Sequence, residues 1–220
     1  MMNDRHHVKA AFTVMLFTLL LNMGPAAGDG LAAARDAAPA VRALEAAGLG
    51  SEEIPDWVAR WELARVLGHL KRYDESVTEY RKLIKEKPAL AEARAEMAQV
   101  LFWQGRSDEA LAELERVPAA SLDDGTREIM ADLYRSQKRY DKAEPLYQSL
   151  LVRNPDNQKV RLKLAELLSW VKRYDESLAE YGKIIAKRPH DRQIRRKYAF
   201  VLIWAGRHAE AAQELKKTLP

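Results

Sequence analysis

Residues 71–84 read KRYDESVTEYRKLI, and residues 172–185 read KRYDESLAEYGKII. Two stretches this alike in one chain signal an internal repeat, which must be read before any local structure. The same slot returns as GRS (105–107), KRY (138–140) and GRH (206–208). Its third residue is Tyr73, Ser107, Tyr140, Tyr174 and His208, at intervals of 34, 33, 34 and 34 residues. Seven positions later stands Tyr80, Leu114, Tyr147, Tyr181 or Leu215, and nine positions earlier stands Ala64, Ala98, Ala131, Ala165 or Ala199. Pro88, Pro155 and Pro189 close the first, third and fourth repeats.

Within each repeat the segment before the slot carries apolar or small residues at helical spacing, as in Leu63, Ala64 and Leu67, or Leu164, Ala165 and Leu168. The alanine lets a paired helix approach closely, and the tyrosine seven residues past the turn fills space between repeats. Acidic pairs such as Asp74–Glu75 and Asp108–Glu109 open the second segments, where the helix dipole favours negative charge. They read as helix-start chemistry, not as a general acid and base. This rhythm of small and aromatic residues closed by proline resembles the tetratricopeptide repeat (TPR). The resemblance covers residues 57 to 220, with repeats at 57–90, 91–123, 124–157, 158–191 and 192–220. It implies an all-α solenoid of helix-turn-helix repeats, a right-handed superhelix with a concave groove lined by the first helices.

Two departures stand out. The second repeat is one residue short, with Pro118 ending its second helix early and SLDDG (121–125) as a bridge, so altered stacking between repeats 2 and 3 is expected. The fifth repeat stops at Pro220 with no further helix to cover its last packing face. Either Lys216 and Lys217 solvate that end, or it docks a partner or a second copy; repeat arrays generally need polar caps. Residues 28–54, alanine-rich with Pro39 and a Gly48–Gly50 break, read as a linker with one short capping helix.

Tryptophan recurs in LFWQGR (101–106), LSWVKR (168–173) and LIWAGR (202–207). On a helical wheel Met97, Ala98 and Leu101 form the packing face, and Trp103 falls almost opposite. Trp170 and Trp204 occupy the same slot, held by His69 in the first repeat and Ser136 in the third. The resemblance implies ligand contacts on this face of the first helices. The predicted groove runs from Trp61, Arg65 and His69 through Gln99, Phe102 and Trp103 to Glu128, Asp132 and Arg135. It continues with Leu162, Glu166 and Trp170 and ends at Arg196, Phe200, Ile203 and Trp204. Packing between neighbouring first helices is the competing explanation of the large side chains. A second column, Arg60, Arg94, Arg127, Arg161 and Arg195, sits at the edge of the packing stripe, where aliphatic stems pack and guanidinium groups reach out. It is expected to form an ion-pair ladder between repeats, with a ligand-binding arginine ladder as the alternative.

The 36 basic and 32 acidic residues are intermixed, giving a net charge of +4, unlike the one-sided basic patch of a nucleic-acid binder. No cysteine is present, which excludes disulfides, thiol nucleophiles and thiolate metal sites. MMNDRHHVK, the apolar run AAFTVMLFTLLLNM (10–23) and the small residues after it have the layout of a secretory signal, with cleavage expected near Ala27. The mature protein is then expected to be exported and periplasmic, or held at the inner membrane if residues 1–27 stay attached. His6, His7, His69, His190 and His208 show no HExxH spacing, and no glycine-rich phosphate loop or GxSxG elbow occurs. No catalytic residue, metal site or cofactor is expected.

LSWVKRYDES and LFWQGRSDEA look like repeats in periplasmic TPR segments of bacterial exopolysaccharide-export and outer-membrane assembly systems. That resemblance implies a non-catalytic scaffold of the cell envelope, binding a protein, peptide or polysaccharide partner on its tryptophan-lined face. Two other classes stay open: a peptide-binding adaptor for exported proteins, in which Glu128 and Asp132 select a basic ligand residue, and a structural protein that self-assembles through its C-terminal end.

Overall fold

The computed structural model describes residues 54–219, so the expected signal segment and nearly all of the alanine-rich stretch lie outside the described residues. Within that range run ten α-helices and one 3-10 turn, with no strand. The helices are α1 (Asp56–His69), α2 (Tyr73–Glu86), α3 (Ala91–Trp103), α4 (Ser107–Leu114) and α5 (Asp124–Ser136). Then follow α6 (Tyr140–Arg153), α7 (Gln158–Trp170), α8 (Tyr174–Lys187), α9 (Arg192–Trp204) and α10 (His208–Lys216). Each sequence repeat thus contributes two helices. The chain forms two compact units, 1–93 and 94–220, with the boundary in the first turn of α3.

The repeated KR or GR marks the turn within each pair. Lys71, Lys138 and Lys172 adopt φ of 61°, 60° and 64°, and Gly105 and Gly206 adopt 83° and 76°. The arginine after each donates its amide to a carbonyl five residues back: Arg72 to Leu67, Arg106 to Leu101, Arg139 to Tyr134, Arg173 to Leu168 and Arg207 to Leu202, at 2.8–2.9 Å. This left-handed closure satisfies carbonyls that the helix end would leave orphaned. Four of these arginines then grip the glutamate three residues on, Arg72 with Glu75, Arg106 with Glu109, Arg173 with Glu176 and Arg207 with Glu210, at 2.6–2.7 Å.

In the N-terminal unit α1 packs on α2. Ala64, Tyr80 and Leu83 are buried, and the Ser76 hydroxyl donates to the Ala64 carbonyl at 2.6 Å. In the C-terminal unit α5 packs on α6, α7 on α8 and α9 on α10, while α4, α6 and α8 each pack on the first helix of the next repeat. Ala98, Ala131, Ala165 and Ala199 have no exposed surface, Leu114, Tyr147 and Tyr181 are buried, and Tyr181 shares one core cluster with Ala165. Ser177 repeats the bond of Ser76, donating to the Ala165 carbonyl at 2.7 Å. The second repeat is the irregular one: α4 has only 8 residues, and the chain passes through a 3-10 turn at Ala119–Ser121 before Asp123 caps α5.

The arginine column requires a correction. Arg60 pairs with Glu79 (3.0 Å), Arg94 with Glu113 (2.5 Å), Arg161 with Glu180 (2.5 Å) and Arg195 with Glu214, always 19 residues on. Nineteen residues carry the chain around the turn and back, so each pair joins the two helices of one repeat instead of linking neighbouring repeats. In the third repeat the acid slot holds Leu146. Arg127 there donates to Asp124 (3.1 Å) and to the carbonyls of Ala119 (3.1 Å) and Leu122 (3.0 Å).

Candidate ligand-binding face

Trp103, Trp170 and Trp204 are the last residues of α3, α7 and α9, with Ser136 ending α5 in the same slot. They are 45%, 49% and 53% exposed, so the core claims none of them fully. Their helices end there because the left-handed residue two positions on turns the chain back, which leaves each indole beside the turn at the helix rim. Trp170 is nevertheless partly engaged. The Arg135 guanidinium lies 5.7 Å from its ring centre, and the Tyr140 ring lies 5.9 Å away at 48°. Trp204 stands 6.4 Å from Phe200, one turn earlier on α9, and both rings are half exposed. Phe102, Leu162 and Ile203 are partly buried, Leu162 and Ile203 against the core formed around Ala165, Leu178 and Tyr181. Gln99 is partly buried on α3.

Between the aromatic residues lies a continuous charge network. Lys163 donates to Glu128 (2.6 Å) and Asp132 (2.5 Å), and Lys159 reaches Glu128 at 3.0 Å. Arg135 stands 3.7 Å from Asp132 and 3.5 Å from Glu166, which also accepts from Lys197 at 2.5 Å. The Tyr147 hydroxyl donates to Asp132 at 2.6 Å. Burial alone would raise the Glu128 carboxyl, but hydrogen bonds from Lys163 and Lys159 outweigh it and hold the group below the usual glutamate range. Burial and the bond to Asp132 push the Tyr147 phenol far above its ordinary value. The expectation that Glu128 and Asp132 await a basic ligand residue is therefore revised: both are already neutralised from the next repeat.

Other predicted groove residues also have structural duties. Arg196 donates to the Thr218 carbonyl (3.1 Å) and hydroxyl (3.3 Å), which ties α9 to the turn after α10. In the N-terminal unit Trp61 is only 1% exposed, which corrects its placement on the ligand face. It lies three residues before Ala64, so the helical period turns it onto the same buried stripe as Ala64, Leu67 and Gly68. Its ring centre is 6.5 Å from that of Trp57. Arg65 pairs with Glu62 at 3.0 Å, and His69 is exposed at the end of α1.

Sequence reasoning missed Lys159, Lys163 and Lys197, and read Tyr140 and Tyr147 as markers of the repeat without a role at this face. A signal for the lysines existed, since Lys159, Lys163 and Lys197 follow Glu128, Asp132 and Glu166 respectively by the same 31 residues. A spacing slightly short of one repeat brings side chains of adjacent first helices together. Among the described residues no cluster of three or more His, Asp or Glu residues is arranged to hold a metal ion, and no helix is long and apolar enough to cross a membrane.

Family models described as "Tetratricopeptide repeat" match residues 70–127 and 134–181, and residues 26–91. Together they take in more than half of the sequence. The chain belongs to the tetratricopeptide-repeat family. It is a TPR α-solenoid, and TPR proteins are generally non-catalytic, protein-binding scaffolds. Solved structures agree on the fold. MamA from AMB-1 aligns with a TM-score of 0.66 and 23% identity over 74% of this chain and 89% of that one. MamA from MSR-1 gives 0.64 and 23% over 74% and 94%. YrrB, described as "a TPR protein with an unusual peptide-binding site", gives 0.68 and 16% over 81% and 90%. At these identities the likeness carries the fold alone. No curated protein matches the sequence.

Proposed function

We propose that the chain is a non-catalytic scaffold that binds an extended segment of a protein partner along the first helices of its C-terminal unit. Trp103, Trp170 and Trp204 anchor apolar side chains of that segment. The observation that carries this reading is the contrast on one face: the charges are paired among themselves, whereas three indoles in one repeated slot stay about half exposed. Exposed aromatic residues recurring at one slot mark a contact surface. The peptide-binding site named for YrrB supports a peptide as the ligand class. The partner is read as an envelope protein, with the scaffold exported to the periplasm and serving exopolysaccharide export or outer-membrane assembly. The leader-like layout of residues 1–27 and the resemblance of LSWVKRYDES and LFWQGRSDEA to export-system repeats support that placement.

Titration of the full chain with immobilised peptide arrays and with soluble polysaccharides, read by tryptophan fluorescence, tests the proposal. Saturable binding to extended apolar peptides, weakly dependent on salt, is expected. Binding only to polysaccharide would replace the peptide with stacked sugar rings, and binding that vanishes at high salt would place the ligand on the charge network instead.

A further inference from the structure

Arg135 is the one cation of the charge network whose guanidinium makes no hydrogen bond to any described residue. Its ion pairs are long, 3.7 Å to Asp132 and 3.5 Å to Glu166, whereas Lys159, Lys163 and Lys197 approach their acids at 2.5–3.0 Å. Four cations, Arg135 and these three lysines, meet three acids, Glu128, Asp132 and Glu166, which leaves one positive charge in excess. The lysines hold the acids, so the excess falls at Arg135. A guanidinium offers its donors in a rigid planar fork, the shape that meets a carboxylate edge on. The surroundings are those of a contact site. Arg135 is partly buried on the last turn of α5, and its charge centre lies 5.7 Å from the half-exposed ring of Trp170. Where repeats 2, 4 and 5 end their first helices in an indole, repeat 3 has Ser136, whose hydroxyl turns back to the Leu133 carbonyl at 2.7 Å. The rim beside the guanidinium thus carries a small side chain.

Resting on the peptide reading above, we propose that Arg135 is a specificity residue that takes a single carboxylate of the bound segment. That carboxylate belongs to an aspartate or glutamate two positions from the apolar side chain seated on Trp170. In an extended chain alternate side chains share one side and lie about 6.6 Å apart. The guanidinium and the indole are separated by a similar 5.7 Å. One carboxylate cancels the one excess charge, whereas a doubly charged phosphate would leave negative charge facing Asp132 and Glu166. Partial burial strengthens such a pair relative to one on the open surface. Because only one charge is met, the salt dependence of binding stays weak. The acidic residue sought on the partner is the reverse of the basic one that Glu128 and Asp132 suggest from the sequence.

Arrays of extended heptapeptides carrying Phe and, two positions away in either direction, Glu or Gln test the assignment on the full chain. Among peptides that bind, the Glu form is expected to be favoured over its Gln twin by at least about tenfold, as for a hydrogen bond to a charged group. Arg135→Gln should shrink that ratio to less than about twofold. Arg135→Lys, which keeps the charge without the fork, should leave an intermediate ratio. A structural role alone would weaken both twins together and leave the ratio unchanged. The comparison on the native chain stands whether or not a variant folds. Equal binding of the twins by the native chain, or a preference that survives Arg135→Gln, would overturn the assignment while leaving the peptide reading intact. Binding of neither twin would overturn both, and a uronic-acid polysaccharide bound in their place would give the carboxylate to a sugar.

Discussion

Repeats 3 and 4 lie next to each other in the C-terminal unit and solve the same packing problem with different side chains. Ala131 and Ala165 are equally buried, as are Tyr147 and Tyr181, and both turns are closed by a lysine with positive φ. Around that common frame the polar choices diverge. Arg161 pairs with Glu180 and the Pro155 carbonyl, whereas Arg127, whose repeat has Leu146 in the acid slot, pairs with Asp124 and with two backbone carbonyls of the short bridge from repeat 2. Both turn arginines reach back to the preceding repeat, Arg173 to Glu144 and Arg139 to Glu115, but Arg173 also grips Glu176, where repeat 3 has Lys142; Glu115 also accepts from Tyr134 at 3.1 Å. Ser136 ends α5 where Trp170 ends α7. The buried slots specify the hairpin, and the rim slots are free to vary with neighbour and ligand.

Overpacking the shared frame should have the largest effect. Ala165→Trp and Ala131→Trp are each expected to destabilise the chain by more than about 3 kcal/mol, since neither site has room for added volume. A normal thermal midpoint in either variant would break the equivalence of the two repeats. Removing one hydroxyl separates them. Tyr147→Phe deletes the bond to Asp132 and should cost about 1–2 kcal/mol in denaturant unfolding. Tyr181→Phe, whose hydroxyl bonds no carboxylate among the described residues, should cost less than about 0.5 kcal/mol. Equal losses would show that the network across the first helices adds nothing to stability.

Glu180→Ala removes the carboxylate from a largely buried guanidinium, which keeps its bond to the Pro155 carbonyl, and is expected to cost about 1–2 kcal/mol. Leu146→Glu, which gives Arg127 the acid its repeat lacks, should change stability by less than about 0.5 kcal/mol because Arg127 is already bonded. A large gain would mean that the carbonyl bonds to Arg127 are weak substitutes.

Acidification probes the same network. The folded-state value of Glu128 is held below its ordinary 4.5, so the folded chain binds fewer protons there than the unfolded chain. That contribution is complete above about pH 4.5 and is lost as pH falls through the lower folded-state value. Tyr147, shifted upward, contributes stability that is complete below its ordinary value of 10.0 and lost as pH rises beyond it. Unfolding midpoints should therefore drop at both extremes, and Tyr147→Phe should flatten the alkaline side only. A gain is expected at the turns: Lys138→Gly and Lys172→Gly should each stabilise by up to about 1 kcal/mol by relieving the left-handed backbone.

The fold was legible because its determinants recur at one spacing. Ala64 to Ala199 and Tyr80 to Tyr181 mark the packed faces five and three times over, and a wheel set on Met97 and Leu101 turns Trp103 outward as observed. The face was harder to read because its contacts cross the turn or the repeat boundary. The interval from Arg161 to Glu180 reveals its meaning only when the hairpin is folded back, and Lys163 meets Asp132 only when two first helices lie side by side. Trp61 misled for a different reason: a groove slot inferred from neighbouring repeats fell on α1 beside Ala64, where the local stripe is core.

Binding by the triple variant Trp103→Ala, Trp170→Ala, Trp204→Ala, measured with an apolar peptide that the native chain binds, tests the central claim most directly. Each genuine anchor should contribute about 1–3 kcal/mol, so affinity is expected to fall at least tenfold while the unfolding midpoint stays near that of the native chain. Undiminished affinity, or a variant that no longer folds, would assign the three indoles to packing and contradict the account.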